Sequence, residues 1–216
     1  MASHGLSVEK AGRWLVLVSL AMAGEEERLT RADQAVGDGD HGIGISRGFR
    51  AVREKLEPGG FPSLEALVGA AGKALLMSIG GASGPIFGSL FLSGSKRLAG
   101  RTVFDAQCLA DLLEGGLQAI QERGKAQVGD KTLVDALQPA AEKARAMRGE
   151  SLNAAFQAIV EAARKGLEST RNLKARHGKA RALGERAIGH VDPGALSLTL
   201  MLEHMARLAA EVTGQE

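Results

Sequence analysis

Apolar residues in this chain recur at three- and four-residue spacing behind residues suited to cap a helix, a pattern that leaves little room for anything but an all-α fold. From Ser7 to Met22, the residues Trp14, Leu15, Val18 and Met22 fall on one helical face, behind a serine whose hydroxyl suits the first turn. Further helices are expected to begin at Ser63, Asp105, Thr132 and Ser151, each followed by Ala and Leu at the same period. The apolar content is mostly Ala and Leu rather than β-branched, and no sustained period-two alternation marks a strand. Gly and Pro mark the joints, at Pro58 to Pro62, Gly80 to Pro85, Arg148-Gly149 and Asp192 to Gly194. None of these has the length of a domain linker. Pro139 falls inside the helix expected from Thr132 and predicts a kink there, because it removes a backbone donor. The expectation is one all-α domain over residues 1–216, with roughly eight helices of about three to five turns each.

Composition narrows the function classes. The formal net charge is only +2, and the 27 basic residues are spread without a long run. With no Tyr, one Trp and six Phe, the chain also lacks the stacking platforms of single-strand binders, so no nucleic-acid partner is expected. The first residues, MASHGLSVEK, lack a signal-peptide profile, and no apolar run reaches membrane-spanning length. A cytoplasmic protein without a membrane partner is the expectation. The single cysteine, Cys108, sits among Leu109, Leu112 and Leu113 and reads as a small buried apolar residue.

Against this helical background one stretch stands out, DQAVGDGDHG from Asp33 to Gly42. It places Asp33, Asp38 and Asp40 within eight residues, interleaved with glycines, and the stretch itself offers no lysine or arginine to separate them. Leu29 to Val36 reads as the end of a helix and GDGD as the turn after it, so one face can present all three carboxylates. Hard oxygens on a glycine-permitted turn suit Mg²⁺ or Ca²⁺, while the EF-hand fails for want of further acidic ligands. A solvated Asp/Gly turn is the plainer reading, and spacing alone leaves both open.

Three other segments have equally plain readings when taken singly. Gly80 to Pro85, GGASGP, precedes an apolar helix through Ile86, Leu90 and Leu98; it suits either close helix packing or an anion at a helix entrance, and it is not a P-loop. Gly129-Asp130-Lys131-Thr132 reads as a helix start, with Thr132 as cap and Asp130 favourable to the helix dipole. Gly184 to Gly194 reads as a turn before the last helix, with His177 and His190 taken as structural or exposed.

Together, GDGDHG with SRGF after it, GGASGP, GDKT with Asp135-Ala136-Leu137, and LGERAIGHVDPGA from Leu183 to Ala195 form a set. In order and approximate spacing the chain resembles the nucleotide-binding (L) subunits of dihydroxyacetone kinases, equivalent to the C-terminal domain of the single-chain kinases. The resemblance implies an antiparallel barrel of eight helices with the nucleotide-metal site at one end. It implies that Asp33, Asp38 and Asp40 are the catalytic metal ligands, holding two Mg²⁺ ions against the phosphates of ADP or ATP. It makes His41, Gly42, Ile43 and Gly44 the loop beside those phosphates, and Ala82 and Ser83 the contacts at the helix entrance. Gly124 and Leu133 become parts of the nucleotide rim, and Asp192, Pro193 and Gly194 the final nucleotide-contacting turn.

Two departures from the family pattern are visible. Gly44 stands where many members have Asn, and Lys179 replaces an arginine, with Arg181 two positions on as a second cation near the phosphates. The resemblance further implies a kinase that is active only with a K-type subunit holding a small ketose. Two donor modes follow from it: exchange of ATP for ADP, or retention of ADP and its rephosphorylation in place by a phosphotransferase-system protein. A nucleotide-sensing regulator on the same fold, without transfer activity, is the alternative from another class.

Overall fold

The computed structural model describes residues 5–213. Met1 to His4, the first part of the stretch read as lacking a signal profile, and the last three residues lie outside the described residues. Nine α-helices occur among the described residues: α1 Val8–Ala23, α2 Glu26–Gln34, α3 His41–Leu56, α4 Leu64–Ser78, α5 Ser83–Lys96, α6 Ala106–Gly124, α7 Val134–Ala146, α8 Leu152–Ser169 and α9 Pro193–Thr213. None is long and apolar enough to cross a membrane.

Four of the expected helix starts are capped as their residue types suggest. Ser7, Ser63, Asp105 and Ser151 accept hydrogen bonds from the backbone N–H groups of Lys10, Ala66, Cys108 and Ala154 at 3.2, 3.1, 2.9 and 3.2 Å. Thr132 is different. Helix α7 begins two residues later, and the Asp135 carboxylate reaches back to accept from Gly129 and Thr132 N–H at 2.6 and 2.7 Å. The Thr132 hydroxyl still accepts Val134 N–H at 3.2 Å, so the start of α7 is held by both side chains. The scarcity of strand signals has one exception: Leu6–Ser7 (β1) pairs antiparallel with Val103–Phe104 (β2).

Contacts between helices close into a ring. Each of α1, α3, α4, α5, α6, α7, α8 and α9 packs on the next, α9 returns to α1, and α2 lies against α3 and α9. The core inside is mostly Leu and Ala, with Trp14 at its aromatic centre, 5.2 Å from the ring of Phe104 and 5.9 Å from that of Phe156. Cys108 is fully buried, as its leucine neighbours suggest.

Pro139 lies inside α7, and the helix continues through it. A proline there cannot donate to the carbonyl of Asp135, four residues back. Helix α8 packs closely against that carbonyl at Gly166. A Cβ on Gly166 would sit 2.9 Å from the Ala136 Cα and closer still to the Asp135 oxygen, with only backbone to move. Gly166→Ala is therefore expected to destabilise the fold by about 1–3 kcal/mol, lowering Tm by some 2–4 °C per kcal/mol. A thermal melt followed by circular dichroism checks it, and an unchanged Tm would show that α7 and α8 separate without cost.

Candidate functional site

The acidic turn leaves α2 at Gln34 and enters α3 at His41. Asp33 is only 9 % exposed, and its carboxylate accepts the His41 backbone N–H at 3.2 Å, which ties the helix end to the helix start across the turn. Asp40 stands at the N-cap of α3 without capping it, so its carboxylate is free to face Asp38. Each of Asp33, Asp38 and Asp40 offers an oxygen within 4.8 Å of the others. Three hard oxygen donors, one sheltered and two exposed, fit a divalent cation that completes its shell with oxygens from a ligand or water. The turn is held in place by Gly42. A Cβ there would lie 2.5 Å from the Thr30 backbone nitrogen and closer to the Glu26 carbonyl, so only glycine lets α3 start this close to α2.

His41 ties three helices together. Its Nδ1 lies 3.1 Å from the Ser83 hydroxyl at the start of α5, and its Nε2 lies 2.7 Å from the Ser197 hydroxyl in the first turn of α9. Burial pushes the imidazole below its ordinary pKa, against the pull of the Asp33 carboxylate, so at neutral pH one ring nitrogen donates and the other accepts. Gly194, also in the first turn of α9, faces Leu133 at the N-cap of α7. Helices α3, α5, α7 and α9, alternate members of the ring, thus all begin at the end that carries the carboxylates.

The remaining expected residues gather at this end to different degrees. Ala82 is the N-cap of α5 without a side-chain bond, leaving the entrance open, and Ile43 is exposed on the first turn of α3. Gly44 lies on the same turn near Ile79. Asp192 caps α9, accepting from Ala195 N–H at 2.7 Å; burial pushes its carboxyl up to about 7, against that hydrogen bond and the Lys131 charge. Pro193 follows it and is buried. Gly124 ends α6 beside a cavity of about 490 Å³ lined by Gln121, Lys125, Ala126, Gln127, Val128 and Gln138.

The absence of a basic partner for the three aspartates does not survive in three dimensions. Lys179 reaches Asp38, and lies 3.1 Å from Asp40, from a 3-10 helix over Lys179–Ala187. Its hydrogen bond holds the Asp38 carboxyl below the usual range. Local spacing could not reveal a partner some 140 residues away along the chain. The pair is exposed on both sides and is correspondingly weak. Lys179, rather than Arg181, meets the carboxylates; Arg181 is exposed on the same 3-10 helix. This helix, broken at Gly184, overlaps only the first residues of the stretch read as a turn between Gly184 and Gly194. It is seated on the acidic turn by a small apolar cluster of Val36, Ala175 and Ala187, with Ala180 and Leu183 against it.

Sequence reasoning passed over Ser197 and the burial of Lys131. A serine in an apolar helix and a lysine between Asp130 and Thr132 carry no periodic signal, and only the topology gives them partners. His177 is half exposed and lies 3.2 Å from Asp130, in line with a structural role.

Comparison with known proteins agrees with the geometry. A model of the DAK2 domain matches residues 35–207. A protein of Listeria innocua described as the ADP-binding subunit DhaL of PEP-dependent dihydroxyacetone kinase 1 is 38% identical over 193 residues, covering 89% of this chain and 92% of its own. The ADP-binding subunit DhaL of the PEP-dependent dihydroxyacetone kinase of Escherichia coli is 36% identical over 208 residues, covering 95% and 99%. Among solved structures, the dihydroxyacetone kinase of C. freundii in complex with AMP-PNP and Mg²⁺ superposes with a TM-score of 0.72 at 28% identity, over 91% of this chain and 33% of that one. With a domain match over most of its length and relatives of this identity aligned nearly end to end, the chain belongs to the DAK2 domain family.

Proposed function

We propose that this chain is the nucleotide- and Mg²⁺-binding subunit of a dihydroxyacetone-type kinase, acting on a small ketose held by a separate K-type subunit. The observation that carries the reading is the trio of carboxylates within 4.8 Å at the end where four helices begin. Two Mg²⁺ ions, when bound by Asp33, Asp38 and Asp40, would supply the positive charge that phosphoryl transfer needs. The chain's own groups do the rest. The N-terminus of α5, which no side chain caps, offers backbone N–H groups to phosphate oxygens, while Asp192 already caps α9. His41 fixes Ser83 and Ser197 relative to the acidic turn, and Lys179 adds a point charge at its edge. In the transfer, the bond from the γ-phosphorus to the ADP oxygen breaks, a bond to the ketose oxygen forms, and the hydroxyl proton leaves to a base on the acceptor side.

A partner subunit has a surface to meet. Ile43 and Met77 are 52% and 84% exposed at the start of α3 and the end of α4, and Ile79 after α4 packs on Gly44 and Gly48 of α3. The names of the Listeria and E. coli relatives, PEP-dependent and ADP-binding, favour the donor mode in which ADP stays bound and is rephosphorylated in place. Copurifying, slowly exchanging ADP is its signature.

The test uses the purified chain with ATP, Mg²⁺ and dihydroxyacetone or erythrulose, with and without a K-type subunit. Saturating ADP and Mg²⁺ at about a hundred times the Kd should stabilise the chain by about 2.7 kcal/mol, raising Tm. The isolated chain should phosphorylate no sugar, because it holds no acceptor within reach of the γ-phosphate. No thermal shift would overturn the nucleotide site, and rapid phosphorylation by the chain alone would overturn the two-subunit reading.

A further inference from the structure

The loop Gly129-Asp130-Lys131-Thr132 contributes no ligand to the carboxylate trio, yet it holds a buried cation. Lys131 is 1% exposed, and its backbone is left-handed at φ 58°. Its ammonium donates to the carbonyl of Thr170 at 2.6 Å and to that of His190. Those two carbonyls bracket the segment that carries Lys179. Asp130 holds the same segment from the other side: its carbonyl accepts Arg176 N–H at 3.1 Å, and its carboxylate lies 3.2 Å from His177 Nε2 and 3.5 Å from Arg176 Nη1. The base is closed by Gly189 N–H on the Arg171 carbonyl at 2.8 Å and by Arg171 Nη1 on the Gly189 carbonyl at 3.2 Å.

A lysine is a costly way to fill buried space. An ammonium taken out of water needs its donors satisfied, and an apolar side chain of similar volume does the packing more cheaply. Here burial draws the Lys131 pKa down, against the opposing pull of Asp192 and Asp135. What the charge does that an apolar group cannot is join two carbonyls twenty residues apart in sequence. Apart from these bonds the joined segment is ordered by a small apolar cluster, in which its Ala175, Ala180, Leu183 and Ala187 meet Val36.

We infer that Asp130 and Lys131 are positioning residues, a clasp that holds the 170–190 segment so that Lys179 lies over Asp38 and Asp40. The inference deepens the proposed function and rests on it for one of two readouts. The first readout does not depend on ligand. In Lys131→Met, amide hydrogen exchange at Arg176 and Gly189 should quicken at least about tenfold, while amides in the interior of α1 and α8 keep their protection. The second readout is the affinity for ADP with Mg²⁺, measured by calorimetry. It should fall about tenfold, equivalent to about 1.4 kcal/mol.

A double-mutant cycle separates positioning from general weakening. If Lys131 acts through Lys179, then Lys179→Met alone weakens binding and the Lys131→Met/Lys179→Met pair weakens it no further. Additive losses would overturn the clasp, as would unchanged exchange at Arg176 and Gly189. Should Lys131→Met fail to fold, Asp130→Asn and the surface variant His177→Ala carry the same readouts, with the same results for and against. A parent chain that binds no ADP with Mg²⁺ would sink the proposed function and leave the exchange measurement to decide the clasp.

Discussion

Replacing Asp38 and Asp40 together by alanine is expected to abolish Mg²⁺-dependent nucleotide binding while leaving the helices intact. The two carboxylates are exposed, and with Asp33 they form the one cluster of three acidic oxygens found among the described residues. Losing an outer-shell partner of a metal ligand typically costs 10–100-fold in affinity, so losing two ligands should cost more than about a hundredfold. Stability should barely change, because the exposed pairs with Lys179 are weak and the removed charges repel one another. Asp33 is left in place because its carboxylate also holds His41 N–H and so supports the turn itself. Titration calorimetry with ADP and Mg²⁺ decides the point, and unchanged affinity in the double variant would end the metal assignment.

The largest effect on stability is expected at Trp14. Its ring is 1% exposed between Phe104 and Phe156, and its Nε1–H donates to the Met205 carbonyl of α9 at 3.0 Å. The residue joins the first helix of the ring to the last. Trp14→Ala removes that joint and opens a cavity, at a cost of about 3–5 kcal/mol, which lowers Tm by some 2–4 °C per kcal/mol. Trp14→Phe keeps most of the packing and loses the hydrogen bond, so it should cost clearly less. Chemical denaturation of the three proteins orders them, and equal midpoints would remove Trp14 from the closure of the ring.

What the sequence revealed and what it hid divide along contact range. The all-α class, four of the helix caps and the burial of Cys108 depend on residues within a few positions of each other, and periodicity reads them directly. The acidic trio belongs to the same group, since Asp33, Asp38 and Asp40 need only one turn to meet. Lys179 facing Asp38, Ser197 beneath His41 and Lys131 reaching His190 are products of the ring, and no local pattern contains them. Asp135 sharing the capping role expected of Thr132 is an intermediate case. The partner lies three residues away, but the sequence does not say that an aspartate inside the helix takes two of the loop's N–H groups while the threonine hydroxyl takes a third.

The alternation of helix direction around the ring has a thermodynamic corollary. Four helix N-termini present roughly half a positive charge each to the same end that carries three carboxylates. A lone anion meets the carboxylates there, and a lone cation meets the helix ends. A phosphate joined to a divalent ion satisfies both, so each ligand repairs the mismatch that the other would face. By linkage, whatever factor the metal adds to nucleotide affinity, the nucleotide must return to the metal.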